Sequence, residues 1–294
     1  MWIGREGQRY FTFCVNIGYI TPCICMERKV KTADFLATHP VFSLDEAERK
    51  LAPPGGRTGT VERLKHHLKS GRLKIATRGV YAVVPPGVSA ERFQPDAFLV
   101  AAAARSDAVF SHHSALKLLG AAHSVWHQCT VYTEQRRRPI QLDGTTIRFL
   151  EHPRPMRMDN RGHFGTRRLE RRGRLLELTG PERTLIEGFR RPRLVGGLEE
   201  LVISASGFPI LDLDLLEDIL RHYDIANLWA AMGWYLERFQ QSFHVPDRLL
   251  EVMERHRSRS PQYMERARRG GVFAPRWNLI VPRSIIQLGE PDER

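Results

Sequence analysis

Between Lys50 and Arg78 the chain carries eight cations, Lys50, Arg57, Arg63, Lys65, Lys69, Arg72, Lys74 and Arg78, against one acid, Glu62. Guanidinium and ammonium groups at this density bind phosphate oxygens, and spacing along a helix and a turn lets them follow a nucleic-acid backbone. Other residue groups invite catalytic or metal chemistry, and each has a plainer reading. Ser111-His112-His113-Ser114 falls at a helix start, where hydroxyls cap and bond locally. His123 and His127 are four apart, a metal spacing only on a helix, whereas Ser124 to Val131 reads as a strand. Glu48-Arg49-Lys50 has nuclease letters without a partner aspartate on a preceding strand. Cys23-x-Cys25 has no second cysteine pair. No phosphate-cradling Gly-rich loop with its lysine, no Gly-x-Ser-x-Gly and no His-Glu-x-x-His occurs. The chain is therefore read as a non-enzyme with no cofactor, no metal and no catalytic residue.

The elements that must position the cations follow from local patterns. Residues 33 to 39 give one short helical turn that Pro40 ends. Ser43-x-x-Glu46 is a capping-box start for a second helix with Leu44, Ala47 and Leu51 on one face. Pro53-Pro54-Gly55-Gly56 breaks the chain. A third helix is predicted from Thr58 to Ser70, with Val61, Leu64 and Leu68 at helical spacing and Gly71 as its stop. Leu73 to Ala76 and Val80 to Val84 read as two strands joined by Thr77-Arg78-Gly79, a hairpin. Three helices and a hairpin make a winged helix-turn-helix, and Pro85-Pro86-Gly87 closes it. Recognition helices read bases with their N-terminal residues, so Arg57, Thr58, Thr60 and Arg63 are expected at base edges. Lys65, Lys69 and Arg72 are expected at phosphates and Arg78 at the wing tip, with Lys74 counted among the DNA-binding residues.

The remainder reads as a mixed α+β body with a helical C-terminal half. Helices are expected at 96 to 104, 114 to 119, 183 to 189, 198 to 204, 213 to 223 and 227 to 239, with Thr179-x-x-Glu182 as another capping-box start. Strands are expected at 125 to 133 and 145 to 150. The arginine clusters Arg136-Arg137-Arg138 and Arg167-Arg168-x-x-Arg171-Arg172-x-Arg174 are read as turn-like, solvated stretches. A length of 294 residues allows two modest domains, and 42% apolar content gives each a core. The net charge of +12 favours a polyanionic partner. No run of apolar residues is long enough to span a bilayer, so a cytoplasmic protein without a membrane partner is expected. Residues 1–25 hold three of the four cysteines, and residues 11–25 are uncharged. Pro22 and the missing small-residue cleavage site argue against a secretory signal. This stretch is read as a disordered or mis-annotated leader, with Met26 as the start of the folded chain. The organisation is then a leader at 1–25, a DNA-binding domain at 26–88 and an α+β domain at 89–294.

One family brings these pieces together in order. Arg72-Leu73 and Arg78-Gly79-Val80-Tyr81 are followed by Ser111-His112-His113-Ser114-Ala115-Leu116 and by Leu178-Thr179-Gly180-Pro181-Glu182-Arg183-Thr184-Leu185. Gly196-Gly197-Leu198-Glu199-Glu200 and Pro275-Arg276-Trp277-Asn278-Leu279 complete the series. The series resembles the AbiEi antitoxin family over about Met26 to Pro282. The resemblance implies a bacterial type IV toxin-antitoxin component that binds the double-stranded DNA of its own promoter, represses its operon and counters a nucleotidyltransferase-like toxin without a tight complex. It carries DNA binding onto residues 57 to 69 and Arg78, and offers no motif for an antitoxic site. Two other readings stay open: a DNA-processing, restriction-endonuclease-like enzyme, and a stand-alone transcriptional regulator.

Overall fold

The computed structural model describes residues 30–158, 160–265 and 270–288, so the expectations for the leader and for Cys23-x-Cys25 lie outside the described residues. The chain is mixed α+β. Its N-terminal unit runs α1 (Thr32–Thr38), β1 (Val41–Ser43), α2 (Leu44–Leu51), α3 (Gly56–Lys69), β2 (Leu73–Thr77) and β3 (Val80–Val83). Ser43 Oγ accepts the Glu46 amide at 3.1 Å, which caps α2 as its sequence pattern requires. The reciprocal half of the capping box does not form, because the Glu46 carboxylate pairs with Arg174 instead. α3 begins at Gly56, two residues earlier than the periodicity indicates. Gly59 permits this start: a Cβ there would lie 2.2 Å from the Pro54 carbonyl oxygen.

The hairpin gains a third strand that the sequence reading lacked. β1 pairs antiparallel with β3, giving the order β1-β3-β2. Strand alternation then splits the side chains of this sheet between two cores. Phe42 joins Phe35, Leu36, Leu44, Ala47, Leu51, Leu64 and Leu73 among the helices, with Tyr81 and Val83 packed alongside. Val41, Val80 and Ala82 point the other way, onto the Ala-rich α4 (Ala97–Ala104) and the central sheet. The N-terminal unit is thus seated on the rest of the chain through a continuous apolar contact.

The body continues with β4 (Val109–Phe110), α5 (His113–Leu118), β5 (Gln128–Thr133), β6 (Ile140–Leu142), β7 (Thr145–Glu151), α6 (Arg154–Met158), β8 (Thr166–Arg171) and β9 (Arg174–Thr179). These strands form one six-stranded sheet, β6-β7-β5-β4-β9-β8, in which β5 with β7 and β4 with β9 are parallel. Arg167 to Arg174, read from sequence as a loop, is the β8–β9 hairpin, with β8 at the sheet edge. Ser124 to His127 lies outside any strand, since β5 starts only at Gln128.

Helices α7 (Pro181–Arg190), α8 (Leu198–Ser206), α9 (Leu213–Tyr223), α10 (Ala226–Arg238), α11 (Gln240–Phe243) and α12 (Asp247–His256) enclose the largest apolar core. Thr179 does not cap α7. Its hydroxyl pairs with Thr184 Oγ1 at 2.7 Å, and Gly180 stands at the cap. The C-terminal portion is less helical than expected. β10 (Gln262–Tyr263), β11 (Gly271–Ala274) and β12 (Leu279–Pro282) form a small sheet before α13 (Arg283–Ile286). No helix among the described residues is long and apolar enough to cross a membrane.

Candidate nucleic-acid interface

α3 is amphipathic by charge more than by apolarity. Leu64 and Thr60 are its buried residues, flanked by half-buried Val61, His67 and Leu68. This rotates the helix relative to the face assigned from Val61, Leu64 and Leu68, and the rotation sorts the candidates. Thr60 is fully buried and its hydroxyl donates to the Gly56 carbonyl at 3.0 Å, so it offers nothing to a base edge. His67 is half-buried, its ring nitrogen Nδ1 has no partner among the described residues, and burial holds its pKa below the usual value. Thr58, Arg63, Lys65 and Lys69 are exposed, and His66, missed from sequence through the same phase error, is exposed between Arg63 and Lys69.

Charge partners divide the cations further. Arg57 Nη1 lies 2.5 Å from Asp45 Oδ1 and 3.6 Å from Glu48 Oε2, so the first residue of the expected base-reading set is engaged by α2. Lys65 pairs with Glu62 at 2.5 Å across one helical turn. Both pairs are exposed and cheap to open. Lys74 is different. Its ammonium donates to the Phe93 carbonyl at 2.8 Å and the Glu91 carbonyl at 3.4 Å, which fastens the segment after β3 to the sheet and engages the group expected at DNA. Arg63, Lys69, Arg72 and Arg78 have exposed side chains with no ion-pair partner among the described residues, and Arg78 sits at the β2–β3 turn. These four cations on one helix, its C-terminal exit and the adjoining turn form a surface suited to phosphate oxygens.

The histidine motif of the body builds a different kind of site. Ser114 Oγ accepts the Thr130 amide at 2.7 Å, and Ser111 Oγ bonds His112 Nδ1 at 3.0 Å. His112 has a φ of +54°, an unusual conformation for a side chain, and is wholly buried against Tyr132. Arg183 and Glu187, one turn apart on α7, are buried with it at 2.8 Å. Arg183 also donates to the Gly162 and Phe164 carbonyls, each at 2.7 Å, and Tyr223 donates to Glu187 at 2.6 Å. Burial pushes His112 and His152 down to about 4, and for His152 the charge of Arg183 adds to that effect. Burial opposes ionisation of Glu187, yet Arg183 and the Tyr223 hydroxyl together hold it below the usual carboxylate value. Burial also pushes the Cys129 thiol up to about 12, which keeps it protonated. This polar network is closed to solvent and ties β4, β5 and the β7 end to α7 and α9. Among the described residues no group of three or more His, Cys, Asp or Glu is placed to hold a metal.

The chain matches no family model and no curated protein. Its fold resembles a solved structure, the Rv2827c protein from Mycobacterium tuberculosis, with a TM-score of 0.54 over 84% of this chain and 88% of that one. At 18% identity the likeness is one of fold.

Proposed function

We propose that the N-terminal unit is a winged helix-turn-helix that binds double-stranded DNA. In this reading α2 and α3 form the helix-turn-helix, β2 and β3 the wing, and α3 enters the major groove. The observation that carries it is the set of exposed cations Arg63, Lys69, Arg72 and Arg78 on α3, its exit and the wing turn, none with an ion-pair partner among the described residues. The α3 register supports Thr58 and Arg63 as the base-reading positions, with Arg57 joining them once its pairs with Asp45 and Glu48 open. Lys65, Lys69 and Arg72 take phosphates, and Arg78 reaches the neighbouring groove from the wing. The shared core with α4 supports a rigid mount, so the α3 direction is fixed by the body.

The ordered motifs that resemble the AbiEi family extend this proposal to a cytoplasmic antitoxin that represses its own operon and counters a nucleotidyltransferase-like toxin. The experiment is a nuclease footprint of the full chain on the DNA upstream of its gene, beside co-expression with the adjacent gene's product. A protected site lost in the triple variant Arg63→Ala, Arg78→Ala, Lys69→Ala is expected, as is rescue of growth from the adjacent product's toxicity. Absence of any protected site would refute the repressor reading. Unrelieved toxicity, or a harmless neighbour, would refute the antitoxin reading.

A further inference from the structure

A cleft of about 370 Å³ opens where α2 meets the β8–β9 hairpin and the end of α4. Its rim carries four guanidinium groups: Arg49 from the N-terminal unit, and Arg105, Arg168 and Arg174 from the body. Two of them are held in place. Asp107 takes Nε and Nη2 of Arg105 at 2.7 Å each, and Arg174 Nη2 is engaged by Glu46 and by the Val41 carbonyl at 3.3 Å. Each keeps further N–H donors with no partner among the described residues. A fixed guanidinium with spare donors recruits an anion without first losing side-chain freedom. Arg168 has no partner among the described residues, and Arg49 donates only to the Asp45 carbonyl, at 3.4 Å.

The floor differs from the rim. Ala102, Ala103, Ala108 and Leu175 make its lining apolar, and Phe110 and Leu176 lie fully buried beneath them. Two carboxylates stand between floor and rim. Glu177 Oε1 accepts from Thr166 at 2.8 Å and from His163 at 2.5 Å, and Glu46 Oε2 takes Arg174. The other oxygen of each carboxylate has no partner among the described residues and can accept from a hydroxyl or amino group. The cleft size suits a small molecule. A duplex backbone, convex and negative throughout, would meet the same two carboxylates at close quarters.

We infer that this cleft binds a nucleoside phosphate: phosphoryl oxygens on Arg49, Arg105, Arg168 and Arg174, the flat base on the apolar lining of Ala102, Ala103 and Leu175, and sugar or base donors on Glu46 and Glu177. The ligand bridges the N-terminal unit and the body, since its cations come from both. The inference stands independently of the DNA-binding proposal, which rests on α3 and the wing.

Calorimetric titration of the full chain with GDP, ADP, CDP and UDP, with inorganic phosphate at matched ionic strength, tests it. At least one diphosphate binds at least tenfold more tightly than phosphate. The exposed double variant Arg49→Ala, Arg168→Ala weakens that binding at least tenfold while leaving the nuclease footprint of the full chain unchanged. Three results overturn the inference: no diphosphate binding tighter than phosphate, binding that survives the double variant, or a duplex oligonucleotide that displaces the diphosphate and itself requires Arg49 and Arg168.

Discussion

Acid should unfold this protein well before its carboxylates titrate, because two histidines are buried neutral. His112 and His152 fall from the ordinary 6.5 to about 4 in the folded chain. A folded-state value below the unfolded one means the unfolded chain binds more protons, so stability is complete above about pH 6.5 and lost as pH falls toward 4. At pH 5 an unfolded histidine is almost fully protonated and the buried one almost fully neutral, which costs about 2 kcal/mol for each. The two together remove about 4 kcal/mol, a large part of the stability of an ordinary domain. His67 and His113 are also lowered and add in the same direction. Glu187, held below its usual 4.5, contributes a separate loss only at lower pH. Arg183 and Glu187, the charged pair that acts on both rings, keep their charge through the window from 6.5 to 5. Urea unfolding at pH 7.5, 6 and 5 measures the loss, and His112→Asn with His152→Gln should flatten the profile whatever it does at pH 7.5. In the unsubstituted chain, two histidine ring resonances that stay neutral down to pH 5 provide the same check by NMR. A stability that does not change between pH 7.5 and 5, or a slope the double variant leaves intact, would refute the buried-neutral assignment.

Arg63→Ala should weaken binding to the specific site by about 1 to 3 kcal/mol with little effect on random duplex, whereas Lys69→Ala should lower the salt slope by roughly one on both, measured by fluorescence anisotropy. Asp45→Asn removes the closest partner of Arg57, an exposed and weak pair, and should raise affinity for any duplex by up to a few-fold; weaker binding would show that the pair orients Arg57 productively. Arg183→Met leaves Glu187 buried and uncompensated and should cost about 3 to 5 kcal/mol in urea unfolding, with partial recovery when Glu187→Gln is added. Gly233→Ala would put a Cβ 2.0 Å from the Trp277 ring and should lower the melting temperature sharply, while Ala231→Gly on the same helix lowers it only modestly.

What the sequence made legible was local. Ser43 and Glu46 announced the start of α2, the Pro-Pro-Gly-Gly run the break before α3, and Asp96 with its alanines the start of α4, since caps and breaks depend on neighbouring backbone groups. β1 escaped because Val41 to Ser43 is three residues behind a proline, and only its pairing with β3 makes it a strand. Thr60 was misread because three apolar residues fix the phase of a helix poorly, and a threonine that bonds its own backbone can sit in the core. The β8–β9 hairpin looked like a loop because charged side chains dominate it. They are ordinary on an edge strand, where they discourage pairing with another chain. The contacts that remove Lys74 from the candidate surface, and those that join Arg49 to Arg168 and Arg174 around a cleft, link residues 17 to more than 100 positions apart and leave no local trace.

The most direct test of DNA recognition is the affinity of the full chain for the duplex upstream of its own gene, titrated against salt alongside a scrambled duplex of the same composition. A preference of at least about a thousandfold for the native duplex, with a salt slope reduced by roughly one in Lys69→Ala, is the result expected of a winged helix-turn-helix that reads bases through Thr58 and Arg63. Equal affinity for both duplexes, or a preference untouched by Arg63→Ala, would contradict it.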